Sequence, residues 1–286
     1  MKCFHPLTLK DRRVVPCGSC IGCRINKTSG WTLRLLAEQQ NWSTASFVTL
    51  TYDDDHVPLN SYNMGTLVKK DLQNFFKRLR KDLDLEGRKI KYYACGEYGD
   101  KTQRPHYHCI IFGLSQNQHD RNLLVDNWRF CNPQKFLVPA YKGCCGVTKD
   151  DIQYVCGYCQ KKLTGKEGIL AYEHTAREPP FSLSSQGLGL DYFKQHECWD
   201  SDTLTVHLWN GRHIALPKYF KDKFNLKTDK TAYRLKQVKE LGITDKDTAR
   251  KLIFKGLIDE DYRSMQEEDL ENQLVNYFAR KTIKRG

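Results

Sequence analysis

The sequence predicts an α+β fold, an antiparallel sheet with helices packed on one face, and two observations carry that expectation. β-Branched and aromatic runs bounded by polar turns recur at Phe47–Tyr52, Lys89–Glu97 and His106–Gly113. Segments with apolar residues every three or four positions are interspersed with them, and this order of strands and helices suits a sheet covered by helices. With 286 residues, 40% of them apolar, the chain can bury a substantial core, which excludes wholesale disorder.

Taken in order, residues 1–26 are Cys-rich and irregular and form a distinct N-terminal segment. A helix is expected from a capping Ser29 to about Asn41, followed by the strand Phe47–Tyr52 ending in Asp53-Asp54-Asp55. From Thr66 to Leu83, Val68, Leu72, Phe75, Phe76, Leu79 and Leu83 repeat at helical spacing. The opposite side of that helix carries Lys69, Lys70, Lys77, Arg78, Arg80 and Lys81. Such a face is either simply solvated or a phosphate-contacting surface. On the second reading Lys69, Lys70, Lys77 and Arg78 are candidate DNA contacts, joined by Arg104.

The strands Lys89–Glu97 and His106–Gly113 flank the turn-rich stretch Tyr98–Pro105 and are expected to pair as a hairpin. After a poorly patterned insertion, a helix is expected over Thr148–Leu163. Beyond Gly165 stand a Gly-Leu-Gly turn at Gly187–Gly189, a basic stretch Leu216–Lys221 and a charged, helical tail from about Thr228. The organisation expected is 1–26, a main domain over 27–220, and a mainly helical region over 221–286.

Charge and hydropathy narrow the function. Lys and Arg total 46 against 34 acidic residues, a net charge of +12 that favours a polyanionic partner. Apolar runs such as Cys109–Phe112 fall far short of the ~20 residues of a membrane helix. The first residues show no apolar leader, so the protein is expected to be soluble and unsecreted, with its 12 cysteines reduced or ligating metal.

The first chemistry-bearing motif is His106-Tyr107-His108, whose imidazoles project to one face of a strand. A symmetric hairpin register sets Glu97 opposite His106 on that face, so two nitrogens and a carboxylate converge with coordination positions left open. Mg²⁺ or Mn²⁺ would polarise a phosphate there, and a Zn²⁺ hydrolase site suits the same ligands. On the helix beyond, Ile152, Val155, Cys156, Cys159 and Leu163 gather into an apolar stripe, while Tyr154, Tyr158, Lys161 and Lys162 fall on the far side. Tyrosines one turn apart are candidate nucleophiles if a cation favours phenolate.

Together these motifs resemble a known family. Phe47-Val48-Thr49-Leu50-Thr51-Tyr52, Cys95-Gly96-Glu97-Tyr98-Gly99, Arg104-Pro105-His106-Tyr107-His108 and Tyr154-x-x-x-Tyr158 with Lys161-Lys162 look like the replication initiators of microviruses, nearest the gokushovirus branch. These are HUH endonucleases, and the resemblance spans about residues 3–220. It implies that His106, His108 and Glu97 hold Mg²⁺ or Mn²⁺ and orient a phosphate of single-stranded origin DNA. One tyrosine would attack, giving a 5′-phosphotyrosine and a 3′-OH for a host polymerase working with a host helicase in the bacterial cytoplasm. The second tyrosine would then cleave the regenerated origin and allow rejoining. Family members often carry Lys or Arg just before the second tyrosine. Gly157 stands there in this chain, which leaves Lys161 and Lys162 as the candidate cations.

Cys17, Cys20 and Cys23 have the spacing of thiolate ligands, and Cys3 can supply a fourth. The resemblance extends to this element. Structural zinc is the preferred reading over an iron–sulfur cluster, which would require a further Cys-Pro, and over free thiols. Cys144, Cys145, Cys156 and Cys159 are expected to pack.

Overall fold

A computed structural model describes residues 3–10, 14–132, 143–161, 168–201, 204–207 and 213–226. The helical tail expected beyond residue 226 lies outside the described residues. The chain divides into two compact units, one of residues 31–196 and one of residues 1–30 with those after 196. In the latter, β1 (Leu7–Thr8) pairs antiparallel with β2 (Val14–Val15). Helix α1 (Ile21–Gln39) begins eight residues before the expected cap, so Ser29 lies within it. Its first turn is built on buried Cys20, Ile21 and Cys23, with the Arg24 amide donating to the Cys20 carbonyl at 2.9 Å. The sulfur spacing and the helix start thus come from the same residues.

The larger unit is a five-stranded antiparallel sheet of β3 (Ala45–Thr51), β4 (Lys91–Tyr98), β5 (Pro105–Phe112), β6 (Cys144–Gly146) and β7 (Phe181–Ser184). Its spatial order is β6-β3-β5-β4-β7. Helices α2 (Lys69–Leu85), α3 (Gln118–Asn127) and α4 (Lys149–Lys161) complete it, with a wide helical turn at Ile169–Glu173 and α5 (Leu190–His196). In the other unit β8 (Thr205–His207) pairs with β9 (His213–Ala215), and the basic stretch becomes the short α6 (Lys218–Lys223).

The helices cover both faces of the sheet, not one. On one face Val48, Leu50, Tyr107 and Cys109 meet Leu72, Phe75, Phe76 and Leu79 of α2 and Leu124 of α3. On the other, Phe47, Tyr93, Ile110 and Phe112 meet Leu35 and Leu36 of α1 and Ile152, Val155 and Cys156 of α4. The reason is legible in β4 and β5: Tyr92 to Cys95 and Cys109 to Phe112 are unbroken apolar runs, so both sides need cover.

Two local departures have chemical causes. Helix α2 starts at Lys69, not Thr66, because Thr66 accepts from the Glu178 amide and Val68, at the cap, donates its amide to the Tyr107 hydroxyl at 2.9 Å. Tyr107 also meets the Tyr52 hydroxyl at 2.8 Å, and Tyr52 donates to Asp71 in the first turn. The insertion that read as patternless contains α3, capped by Asn117 accepting from the Asp120 amide at 2.7 Å. Helix α4 begins with a reciprocal capping pair, Thr148 and Asp151, at the expected place.

Candidate active site

The hairpin register puts Glu97 across from His106 and Cys95 across from His108. Both imidazoles and the carboxylate therefore share the sheet face covered by α4. Glu97 Oε1 lies 2.9 Å from His106 Nε2 and 3.2 Å from His108 Nε2, and the two Nε2 atoms are 3.2 Å apart. Ligand atoms held at right angles by bonds of about 2.1 Å stand about 3.0 Å apart, so these spacings suit one face of a small cation's octahedron. A second observation agrees: Glu97 Oε2 is buried without a hydrogen-bond partner, an orphaned acceptor that a cation would satisfy.

The far ring nitrogens are also held. His106 Nδ1 lies 3.1 Å from the Arg104 carbonyl, and His108 Nδ1 lies 3.1 Å from Thr49 Oγ1. Both contacts turn Nε2 toward Glu97. Burial would push the Glu97 carboxyl up, but hydrogen bonds from both imidazoles, with their charge, hold it down at about 2.

The two tyrosines reach the same spot by a route the helical wheel did not give. They are not on a solvent face: Tyr158 is only 4% exposed and belongs to the core beneath α4, with Tyr154 packed against that core. The Tyr158 ring stacks on His108 at 4.9 Å between centroids and 6° between planes. Tyr154 meets His108 edge-on at 5.7 Å and Tyr158 at 4.7 Å. Burial, then the Glu97 carboxylate and Tyr154, push the Tyr158 phenol well above its usual value. Helix α4 sits so close on the sheet that its buried arc is wider than the apolar stripe, and the arc includes Asp151 as well. The side chains of Cys159 and Lys161, together with Lys162, lie outside the described residues.

The basic candidates are placed elsewhere. Lys70 and Lys77 are exposed on α2, behind the sheet face opposite the histidines. Lys69 lies 3.8 Å from Glu178 and over the Phe181 ring at 5.1 Å. Arg78 is engaged with the Asn127 carbonyl at 2.6 Å, and Arg104 with Asp54 at 2.5 Å and the Tyr52 carbonyl at 2.8 Å.

In the other unit the sulfurs of Cys3, Cys17, Cys20 and Cys23 lie within 4.8 Å of one another. The Cys20–Cys3 and Cys17–Cys23 separations are 3.8 and 4.0 Å, close to the ~3.8 Å edge of a tetrahedron of ~2.3 Å metal–sulfur bonds. Backbone amides of Cys17, Cys20 and Phe4 donate to Cys3, Cys17 and Cys20 sulfurs. Burial would raise the Cys17 thiol, but its hydrogen bonds bring it down to about 6, so this sulfur readily becomes a thiolate ligand.

Residues 45–163, which contain every described member of the histidine and tyrosine site, match the family model of the replication-associated protein ORF2. The chain is 30% identical over 219 residues to "Replication-associated protein ORF2" of Spiroplasma virus 4, covering 72% of this chain and 66% of the relative. The chain belongs to this family. Other family relatives are "Replication-associated protein VP4" of Bdellovibrio phage phiMH2K, 28% identical over 218 residues, and "Replication-associated protein ORF4" of Chlamydia phage 1, 29% identical over 226. These alignments cover 72% and 73% of this chain and 66% and 53% of the relatives, so the chain spans at most about two thirds of their lengths. No solved structure matches the chain. Within the family segment, residues the motifs alone did not single out are Thr49 and Phe47, the latter stacked on His108 at 5.6 Å and 15°. Their signal was alternation in β3, which puts both on the histidine face.

Proposed function

We propose that this member of the replication-associated family initiates rolling-circle replication of a small phage genome by nicking and rejoining single-stranded origin DNA. The observation that supports this reading is the gathering of three metal-type ligands and two tyrosine rings about one imidazole, His108. Mg²⁺ or Mn²⁺ on Glu97, His106 and His108 would supply Lewis-acid polarisation of the scissile phosphate and would offset the Glu97 charge that disfavours phenolate.

One phenol oxygen, of Tyr154 or Tyr158, forms the new bond to phosphorus as its proton leaves to solvent. The P–O3′ bond breaks, and the departing oxygen takes up a proton to become the 3′-OH. The 5′-phosphotyrosine conserves the phosphodiester energy, so rejoining needs no nucleotide cofactor. The second tyrosine repeats the attack at the regenerated origin. The 3′-OH it releases then attacks the first phosphotyrosine, closing the displaced strand and restoring the first phenol. A second ring 4.7 Å away makes this alternation sterically short-ranged. Host polymerase and helicase in the bacterial cytoplasm would be the partners in synthesis. Among the described residues no helix is long and apolar enough to cross a membrane. The four N-terminal thiols would hold a structural Zn²⁺ that ties Cys3 to the start of α1.

The test is incubation with single-stranded origin DNA and Mn²⁺. A protein–DNA adduct that survives denaturation is expected, abolished by EDTA and by Tyr154→Phe with Tyr158→Phe. Cleavage without an adduct would mean that water, not tyrosine, is the nucleophile.

A further inference from the structure

We infer that Thr49 is a positioning residue that selects which way round the His108 ring sits, and so determines whether its Nε2 faces the metal site. The inference rests on the metal reading of Glu97, His106 and His108. Thr49 is the β3 residue directly across from His108, and its Oγ1 is 3.1 Å from Nδ1. The ring is held flat by stacking, with Tyr158 at 6° and Phe47 at 15° between planes. Stacking fixes a plane but not an orientation within it. A half-turn about the Cβ–Cγ bond leaves the plane unchanged while exchanging Nδ1 with Cδ2 and Nε2 with Cε1. The flipped ring would present carbon where Nε2 now lies 3.2 Å from Glu97 Oε1.

Only a directional contact can separate the two orientations, and the Thr49 hydroxyl supplies it. An imidazole that ligates through Nε2 carries its proton on Nδ1, and Thr49 Oγ1 stands where that proton must be accepted. His106 differs in kind: its Nδ1 is served by the Arg104 backbone carbonyl at 3.1 Å, which no side-chain change removes. Thr49 is therefore the side chain through which the geometry of this site can be altered without touching a ligand or a tyrosine.

The test compares Thr49→Val, which keeps the shape and loses the hydroxyl, with Thr49→Ser, which keeps the hydroxyl. Mn²⁺ binding is measured by calorimetric titration, and the His108 ring nitrogens by long-range ¹H–¹⁵N correlation in the metal-free protein. Thr49→Val is expected to bind Mn²⁺ about 10- to 100-fold more weakly, with shifted or doubled His108 nitrogen signals. Thr49→Ser should stay within about threefold of wild type, the hydroxyl contact being retained. Thr49→Ala must behave like Thr49→Val, which guards against a folding defect peculiar to one variant. Wild-type Mn²⁺ affinity and unchanged His108 signals in Thr49→Val and Thr49→Ala would overturn the assignment. Wild-type protein that binds no Mn²⁺ would overturn the metal reading itself, and the assignment with it.

Discussion

Replacing Glu97 with Gln separates what the carboxylate does for the fold from what it does for a cation. Glu97 is buried and is held at about 2 where 4.5 is usual. Each tenfold change in proton affinity is worth about 1.4 kcal/mol, so ionised Glu97 contributes on the order of 3 kcal/mol to the metal-free fold at neutral pH. The folded value lies below the unfolded one, so the contribution is complete above about pH 4.5 and is lost as pH falls toward 2. At roughly 2–4 °C per kcal/mol, Glu97→Gln should melt up to about 6–12 °C lower in EDTA at pH 7.5, less whatever the amide oxygen retains. Wild type in Mn²⁺ at about a hundred times its dissociation constant should gain a further ~2.7 kcal/mol, and Glu97→Gln most of that less. The assay is thermal melting by circular dichroism with EDTA or Mn²⁺, repeated at pH 3, where the EDTA difference should shrink. A variant that melts with wild type in EDTA and keeps the full Mn²⁺ increment would refute the reasoning.

Other expectations concern the surroundings of the site. Since α2 lies on the sheet face away from the tyrosines, Lys70→Glu with Lys77→Glu should leave adduct formation on a short oligonucleotide within about twofold of wild type. A tenfold loss would bring α2 into the DNA path. Asp120 is fully buried, paired with Arg88 at 2.7 Å and bonded to Ser115, and these contacts outweigh burial to hold its carboxyl below the usual range. Asp120→Asn should cost about 2–3 kcal/mol by urea unfolding at pH 7, discounted because Arg88 is partly exposed. That deficit should narrow as pH falls below about 4, where the unfolded carboxyl is protonated. Purified protein should carry one equivalent of Zn²⁺ by elemental analysis, and Cys20→Ser should lose it; a metal-free wild type of unchanged helicity would remove zinc from the account.

The parts of the site written in strands were legible in the sequence because strand geometry is short-ranged. Once Glu97 and His106 bracket a turn of fixed length, the register follows, and β4 and β5 pair as expected. The tyrosines were found, but their side of the helix was not. A helical wheel ranks faces by apolarity, whereas α4 buries Asp151 and Tyr158 against polar ligands on the sheet. Helix α1 was read late because its start depends on cysteines 14 and more residues apart meeting in space, which no local pattern records. The cover on both sheet faces was likewise hidden in α3, a short helix with little apolar periodicity whose Leu124 and Val125 nonetheless reach the core.

The central claim, that a tyrosine of α4 takes the 5′ phosphate of a cut strand, is tested most directly by label polarity. Single-stranded origin DNA labelled at its 3′ end and, separately, at its 5′ end is cleaved with Mn²⁺, denatured and resolved, and the adducted peptide is mapped by mass spectrometry. The 3′-end label should travel with the protein on a peptide containing Tyr154 or Tyr158, while the 5′-end label leaves as a free fragment ending in 3′-OH. A 5′-end label on the protein, an adduct outside residues 149–161, or cleavage with both labels free would contradict it.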